Sequence, residues 1–191
     1  MILPILAYGN PILKTKCKRI NKDFKDLNVL IKNMWETMYS ASGVGLAAPQ
    51  IGKSIRLFIV DASPFSEDKE LSLEERENLK KFKKVFINPV ITWSSNNLNS
   101  FNEGCLSIPD IREDIKREDQ IEIHYHDENF EKKILKLEGL SARVVQHEYD
   151  HVEGILFTDK LSSFKKKLLN RKLKNISTGN IKCDYPMFFL K

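Results

Sequence analysis

Gln146-His147-Glu148-Tyr149-Asp150-His151 is the stretch that decides how this chain is read. It has the form H-E-x-x-H, inside a segment from Ser141 to about Val152 that contains neither Pro nor Gly. Ser141 is a candidate N-cap, so the segment is predicted to be helical. On a helix, His147 and His151 stand one turn apart on one face and can bind one metal ion from the same side. Glu148 beside them is poorly placed to ligate that ion. It is well placed to move a proton on a water at the site. The plain alternative is a surface helix that carries two histidines, yet the chain has only four, and two of them fall in this frame.

A catalytic site of this kind takes three protein ligands and leaves one position open. Downstream of His151 there is no further His, and the only carboxylates are Glu153, Asp159 and Asp184. That argues against most H-E-x-x-H peptidases. Upstream lies Phe101-Asn102-Glu103-Gly104-Cys105-Leu106-Ser107-Ile108-Pro109. A Cys in such surroundings is most often a small buried hydrophobe. Next to an incomplete metal site it becomes a candidate thiolate ligand, and Cys105 with His147 and His151 would complete three donors. The rival reading, a Cys nucleophile activated by a His, leaves Glu148 without a role. Further upstream, Gly43-Val44-Gly45-Leu46-Ala47-Ala48-Pro49-Gln50-Ile51-Gly52 reads as a tight loop where another chain can approach the backbone. It lacks the Lys-Ser/Thr of a phosphate-binding loop. Gln50, a polar residue among apolar ones, has an amide that can donate into a site.

Around these motifs, Leu3 to Ile20 reads as irregular. Asn21 or Asp23 is expected to cap an amphipathic helix to about Ser40, with Phe24, Leu27, Leu30, Ile31, Met34, Trp35 and Met38 on its apolar face. Ile55 to Asp61 and Val85 to Trp93 read as strands, the second interrupted at Pro89. Between them, 62–84 is expected to be a surface excursion without chemistry, with Ser72-x-x-Glu75 as a capping box. Ser94 to Ser100 reads as a polar turn. Asp114 to His126 reads as one charged strand with His124 and His126 on its solvent face, and Phe130 to Leu137 as its hairpin partner. Gly154 is expected to stop the metal helix. Ser162 or Ser163 is expected to cap a basic helix to about Leu173, followed by a break at Gly179 and an extended piece over Tyr185 to Leu190.

The 191 residues suit one domain, with 41% apolar and 30% charged residues. No apolar run is long enough for a transmembrane helix. The start, Met1-Ile2-Leu3-Pro4, has neither the basic nor the apolar region of a secretory signal. Three widely spaced cysteines, Cys17, Cys105 and Cys183, suit a reducing cytosol better than a disulfide framework. Charge is uneven: 159–191 holds nine Lys/Arg and two Asp, so the body is near neutral and the net +5 comes from this end. That segment is either a solvated helix face or a contact for a polyanion such as RNA.

Taken together, Gly43 to Gln50, Glu103 to Ser107 and Gln146 to His151 resemble, in the same order, the three signature motifs of the peptide deformylases. The flanks Ile51-Gly52, Ile87-Asn88-Pro89, Ile108-Pro109 and Glu153-Gly154 resemble that family too, over most of Leu3 to Ser162. The resemblance implies an α+β fold: antiparallel sheets packed around a central metal-binding helix, an N-terminal helix covering the sheet, and here a C-terminal helix plus a short terminal strand. It implies one catalytic domain over 1–191, with 62–84 as a surface insertion and 160–191 as a basic extension, neither touching a motif.

The implied activity is removal of the N-formyl group from the formylmethionine of nascent polypeptides, releasing formate, in the bacterial cytoplasm. The implied cofactor is one divalent ion on Cys105, His147 and His151, natively Fe(II), which Zn(II), Ni(II) or Co(II) can replace. Glu148 would be the proton carrier, with Gln50 and the Leu106 N–H as donors to the oxyanion. Gly45 and Gly104 would lie along the substrate backbone, and Val44, Phe101, Leu140 and Val144 would line the methionine pocket. Glu103 and Arg117 would shape the site, and Arg112 would lie near the substrate. The basic segment Lys160 to Lys182 would offer a contact to ribosomal RNA. Two other readings remain open: a zinc peptidase with Asp159 as third ligand, and a structural metal module with an RNA-binding tail.

Overall fold

The computed structural model describes residues 1–190. In chain order they form β1 (Ile5–Leu6), a 3-10 turn (Pro11–Lys14), α1 (Leu27–Ser40), β2 (Gly45–Ala47) and a 3-10 turn (Ala48–Ile51). Then come β3 (Leu57–Asp61), a 3-10 turn (Ser63–Glu67), α2 (Leu73–Lys80), β4 (Lys83–Ser94), β5 (Leu98–Cys105), β6 (Ile108–Glu118), β7 (Gln120–His126) and β8 (Lys132–Glu138). The chain closes with α3 (Gly139–Glu153), a 3-10 turn (Phe157–Lys160), α4 (Ser163–Ser177) and β9 (Met187–Phe188).

The strands form three sheets. One has five strands in the order β2-β3-β4-β7-β8, each pair antiparallel. The second is the β5–β6 hairpin, and the third the parallel pair β1–β9. One face of the large sheet is covered by α1. Its Leu27, Ile31, Met34 and Met38 recur at helical spacing and pack with Leu46, Leu57, Ile59, Val85 and Ile87. The other face packs on α3 through Ala142, Val144, Val145 and Val152, with Phe58, Val60 and Phe86. Because sheet and hairpin enclose α3 on several sides, its polar residues Arg143, Gln146, Glu148, Asp150 and His151 are buried as well. An interior helix that carries so many polar groups must satisfy them internally. That requirement brings the site together.

The α+β arrangement, the covering helix, the break in β4 and the Ser72–Glu75 capping box match expectation. At the break, Pro89 lacks an N–H and Asn88 turns left-handed (φ 51°), so the β4–β7 register shifts between Ile87 and Val90. Gly154 ends α3 in the left-handed conformation, φ 76°. Its Cα faces the Lys14 backbone so closely that a Cβ would lie 2.8 Å from the Lys14 carbonyl carbon.

Several expectations are corrected. Helix α1 begins at Leu27, after a left-handed Asp26; Asn21 and Asp23 sit in a preceding turn whose Phe24 N–H bonds the Asn21 carbonyl. Helix α3 begins at Gly139, so Ser141 is inside its first turn and donates its hydroxyl to the Glu138 carbonyl instead of capping. Ser162 does cap α4, but the helix runs four residues past Leu173 to Ser177. The polar stretch 94–100 is a turn only as far as Asn97, because β5 starts at Leu98. Residues 114–126 are not one strand. They split at Asp119 into β6 and β7, which belong to different sheets. The charged run hid this break because Arg117 points inward to buried partners. His126 is half-buried, its ring against Phe130, so it is not the fully solvent-facing residue expected. The N-terminal stretch read as irregular holds β1, whose partner β9 lies at the far end of the chain.

Candidate metal centre and active site

Helix α3 carries His147 and His151 on one face, and the end of β5 brings Cys105 across from them. Their three donor atoms lie within 4.8 Å of one another, and no other such group of metal-ligating side chains occurs among the described residues. Cys105 Sγ is 3.2 Å from His151 Nε2. His147 Nδ1 donates to Glu103 Oε2 at 2.9 Å, which fixes the ring and leaves its Nε2 for a ligand. Burial holds His151 well below the ordinary imidazole range, with the neighbouring His147 adding to it. Burial also opposes a charge on His147, but Cys105 and Glu103 outweigh it and push the ring up to about 10. A cysteine sulfur and two imidazoles converging this closely are a donor set that fits a single divalent transition ion.

Behind His147 lies a buried ionic network. Arg117 grips Glu103 with two parallel bonds, Nε to Oε1 at 2.7 Å and Nη2 to Oε2 at 2.9 Å. Its third nitrogen reaches Asp150 Oδ2 at 2.6 Å. Arg143 adds a bond to Glu103 Oε1 at 3.1 Å. Burial alone would raise the Glu103 carboxyl; hydrogen bonds from His147 and Arg117 reverse that and hold it well below the usual carboxylate range. Glu103 is thus ionised and oriented, and it sets the tautomer of His147.

Glu148 lines the cavity beside His147. It is 4% exposed, and its Oε2 has no hydrogen-bond partner among the described residues. Burial pushes its carboxyl up to about 7, which suits a group that must both accept and release a proton near neutrality. Gly45 of β2 lies directly against this carboxyl: a Cβ there would stand 2.7 Å from the carboxyl carbon. Gln50 is 1% exposed. Its Oε1 accepts from the Ala47 N–H at 2.8 Å, which turns Nε2 toward Ser107 Oγ at 3.2 Å and Cys105 Sγ at 3.6 Å. The amide donor is thereby aimed at the metal side of the cavity.

The cavity itself holds about 490 Å³. Val44, Gly45, Gln50, Phe101, Glu103, Gly104, Cys105, Leu106, Arg112, Val144, His147 and Glu148 all line it. Leu140, expected there, is not among the lining residues; it packs against the interior cluster that includes Val144 and Val145. Arg112 reaches back along its own hairpin to Asn102, Nε to Oδ1 at 2.9 Å and Nη2 to the carbonyl at 2.6 Å. His151 lies behind the lining, with its Nε2 3.2 Å from Cys105 Sγ. The candidate rival ligand Asp159 pairs with Lys14, and Glu153 with Arg56 and Lys16, so neither reaches the site.

Residues that sequence reasoning passed over also line the cavity. Phe65, in the segment expected to carry no chemistry, stands edge-on to Phe101 with ring centroids 6.5 Å apart. Tyr185, in the C-terminal extension expected to touch no motif, donates its hydroxyl to the Leu106 carbonyl at 2.8 Å. Arg143 was overlooked because an Arg inside an apolar helical pattern reads as surface. Nothing in the local sequence signals these three contacts.

A Cys/His/His donor set, a buried carboxylate beside it and an apolar cavity open to a chain define a metal-dependent hydrolase. The sequence model of the polypeptide deformylase family matches residues 2–167. A peptide deformylase of Christiangramia forsetii is 57% identical over 189 residues, covering 99% of this chain and 96% of that protein. One of Flavobacterium psychrophilum is 56% identical, covering 98% and 96%. The crystal structure of a peptide deformylase from Legionella pneumophila superposes with a TM-score of 0.78 at 36% identity, covering 92% of this chain and 95% of that one. The chain belongs to the peptide deformylase family, and is an enzyme that removes the N-formyl group from the N-terminal formylmethionine of nascent polypeptides in a metal-dependent reaction.

Proposed function

We propose the following division of labour for that reaction. Cys105, His147 and His151 hold one divalent ion, Fe(II) in the cell. When bound, the ion makes water acidic near neutral pH and polarises the formyl carbonyl. Glu148 takes the proton from the attacking water and returns it to the amine that leaves. The Gln50 Nε2 and the Leu106 N–H donate to the formyl oxygen as it gains negative charge. Gly45 and Gly104 leave room for the substrate backbone, with Arg112 beside it. Val44, Phe101 and Val144 take the methionine side chain. Glu103, held by Arg117, orients His147. The observation that carries this reading is the buried Glu148 carboxylate, free on one oxygen, on the wall of the cavity beside which the donor atoms of His147, His151 and Cys105 converge within 4.8 Å.

Residues 1–191 then act as one catalytic domain in the bacterial cytoplasm; no helix among the described residues is long and apolar enough to cross a membrane. Metal removal tests the assignment. Protein purified without oxygen should release formate from formyl-Met-Ala-Ser with about one ion bound per chain. A chelator should abolish release, and Fe(II) should restore it better than Zn(II). Activity that survives complete metal loss, measured by elemental analysis, would refute the proposal.

The basic α4 extends the reading to a partner. It carries Lys165, Lys166, Lys167, Arg171, Lys172 and Lys174 and no acidic residue, with Phe164 and Leu168 exposed beside them. The chain is proposed to dock on ribosomal RNA through this face, close to the emerging substrate. Changing Lys165, Lys166 and Lys167 to Glu should abolish co-sedimentation with ribosomes at low salt and leave formate release from free peptide unchanged. Undiminished co-sedimentation would refute it.

A further inference from the structure

The turn Cys105-Leu106-Ser107 carries a metal ligand and, on the reading above, an oxyanion donor. Such a turn must be held still. Three groups from distant parts of the chain hold it. The Tyr8 N–H donates to the Ser107 carbonyl at 2.8 Å. Gln50 Nε2 donates to Ser107 Oγ at 3.2 Å. The Tyr185 hydroxyl donates to the Leu106 carbonyl at 2.8 Å. A carbonyl can only accept, so the Tyr185 O–H direction is fixed.

Tyr185 does not reach there by accident of a loose end. The residues just after it are tied to the N-terminal strand. The Ile5 N–H bonds the Pro186 carbonyl at 2.9 Å and the Ala7 N–H bonds the Phe188 carbonyl at 3.0 Å, framing the parallel pair β1–β9. Phe189 packs over Gly179, whose left-handed φ of 74° turns the chain back after α4. Phe189 also joins the cluster of Leu173, Ile176 and Leu6. The tail is thus a built element. It runs from the end of α4 to the rim of the active-site cavity, where Tyr185 is a lining residue, and then along β1. It lies outside the residues 2–167 that the family's sequence model matches.

We infer that the C-terminal tail is part of the catalytic apparatus, with Tyr185 as a positioning residue that holds the peptide after Leu106 through its hydroxyl and walls the cavity with its ring. This assignment rests on the reading of Leu106 as an oxyanion donor. The peptide plane that Tyr185 holds is one removed from the Leu106 N–H, so loosening it lets that N–H swing away from the forming oxyanion. The ground state, bound mainly by the apolar pocket, is touched much less. The hydroxyl should therefore act on kcat and the ring on KM.

The test uses the full-length, Ni(II)-loaded enzyme and formyl-Met-Ala-Ser. Tyr185→Phe keeps the ring and removes one hydrogen bond. It should lower kcat by about five- to tenfold while KM, metal content and Tm stay near wild type. Tyr185→Ala should show the same loss in kcat and also raise KM, because the wall is gone. A Tyr185→Phe enzyme with wild-type kcat would overturn the inference, as would a loss of kcat that follows loss of metal. Glu148→Ala runs alongside. If it is inactive while Tyr185→Phe is fully active, only the role of the tail falls. If Glu148→Ala is itself fully active, the underlying division of labour falls with it.

Discussion

Glu148→Ala is expected to lower formate release by roughly 10²–10⁴-fold, the range for losing a positioned general acid–base group. The metal should stay, because the carboxylate is not one of the three converging donors. Stability should not fall. Glu148 sits at 4% exposure with one carboxyl oxygen unpartnered, and burial has already pushed its carboxyl up to about 7. A buried ionisable group without a partner costs stability, so its removal is expected to leave Tm unchanged or raise it. The pairing of a large rate loss with no stability loss marks a residue kept for chemistry. Elemental analysis, thermal unfolding and formate release on one preparation decide the matter. A metal-loaded variant that retains wild-type turnover would remove Glu148 from the mechanism.

Gly45→Ala should be nearly as damaging, for a steric reason. Its Cβ would stand 2.7 Å from the carboxyl carbon of Glu148 and 2.8 Å from its Cγ, closer than real contacts allow. The strand cannot yield. Gly45 pairs with Val60 of β3, and its neighbours Leu46 and Ala47 are fully buried. Glu148 must therefore leave its place, and a misplacement of about 1 Å at a reacting group costs on the order of 10² in rate. Unlike Glu148→Ala, this change crowds a packed interior, so it should also cost about 1–3 kcal/mol of stability. The expected signature is low kcat, retained metal and a reduced Tm. Full activity in Gly45→Ala would mean that Glu148 works from another position than the one beside β2. Gly45 thus does more than leave room for a substrate backbone: it makes room for the base itself.

The metal ligands were legible from local chemistry alone. Two His on one helical face and a Cys in a Gly-flanked turn are residue types with few other uses in that combination, and the structure brings all three together. Gln50 was legible for a similar reason: a lone amide in an apolar loop needs a partner, and Ser107 and Cys105 supply it. The amphipathic spacing of α1, the capping box at Ser72 and the break at Pro89 are likewise local signals with local causes.

The remainder depended on residues far apart in the chain. Arg143 reads as a surface charge and Arg117 is tied to the site only through the family resemblance, yet both are buried around Glu103 because α3 is enclosed and its charges must be matched from the hairpin beside it. Phe65 and Tyr185 lie in segments that look like decoration, and only the folded chain carries them to the cavity. The split of 114–126 into two strands, and the union of β1 with β9 across nearly the whole chain, follow the same logic. Periodicity and spacing report which groups a segment can offer; which distant group meets each of them is settled by burial and by the cost of leaving buried polar atoms unpaired.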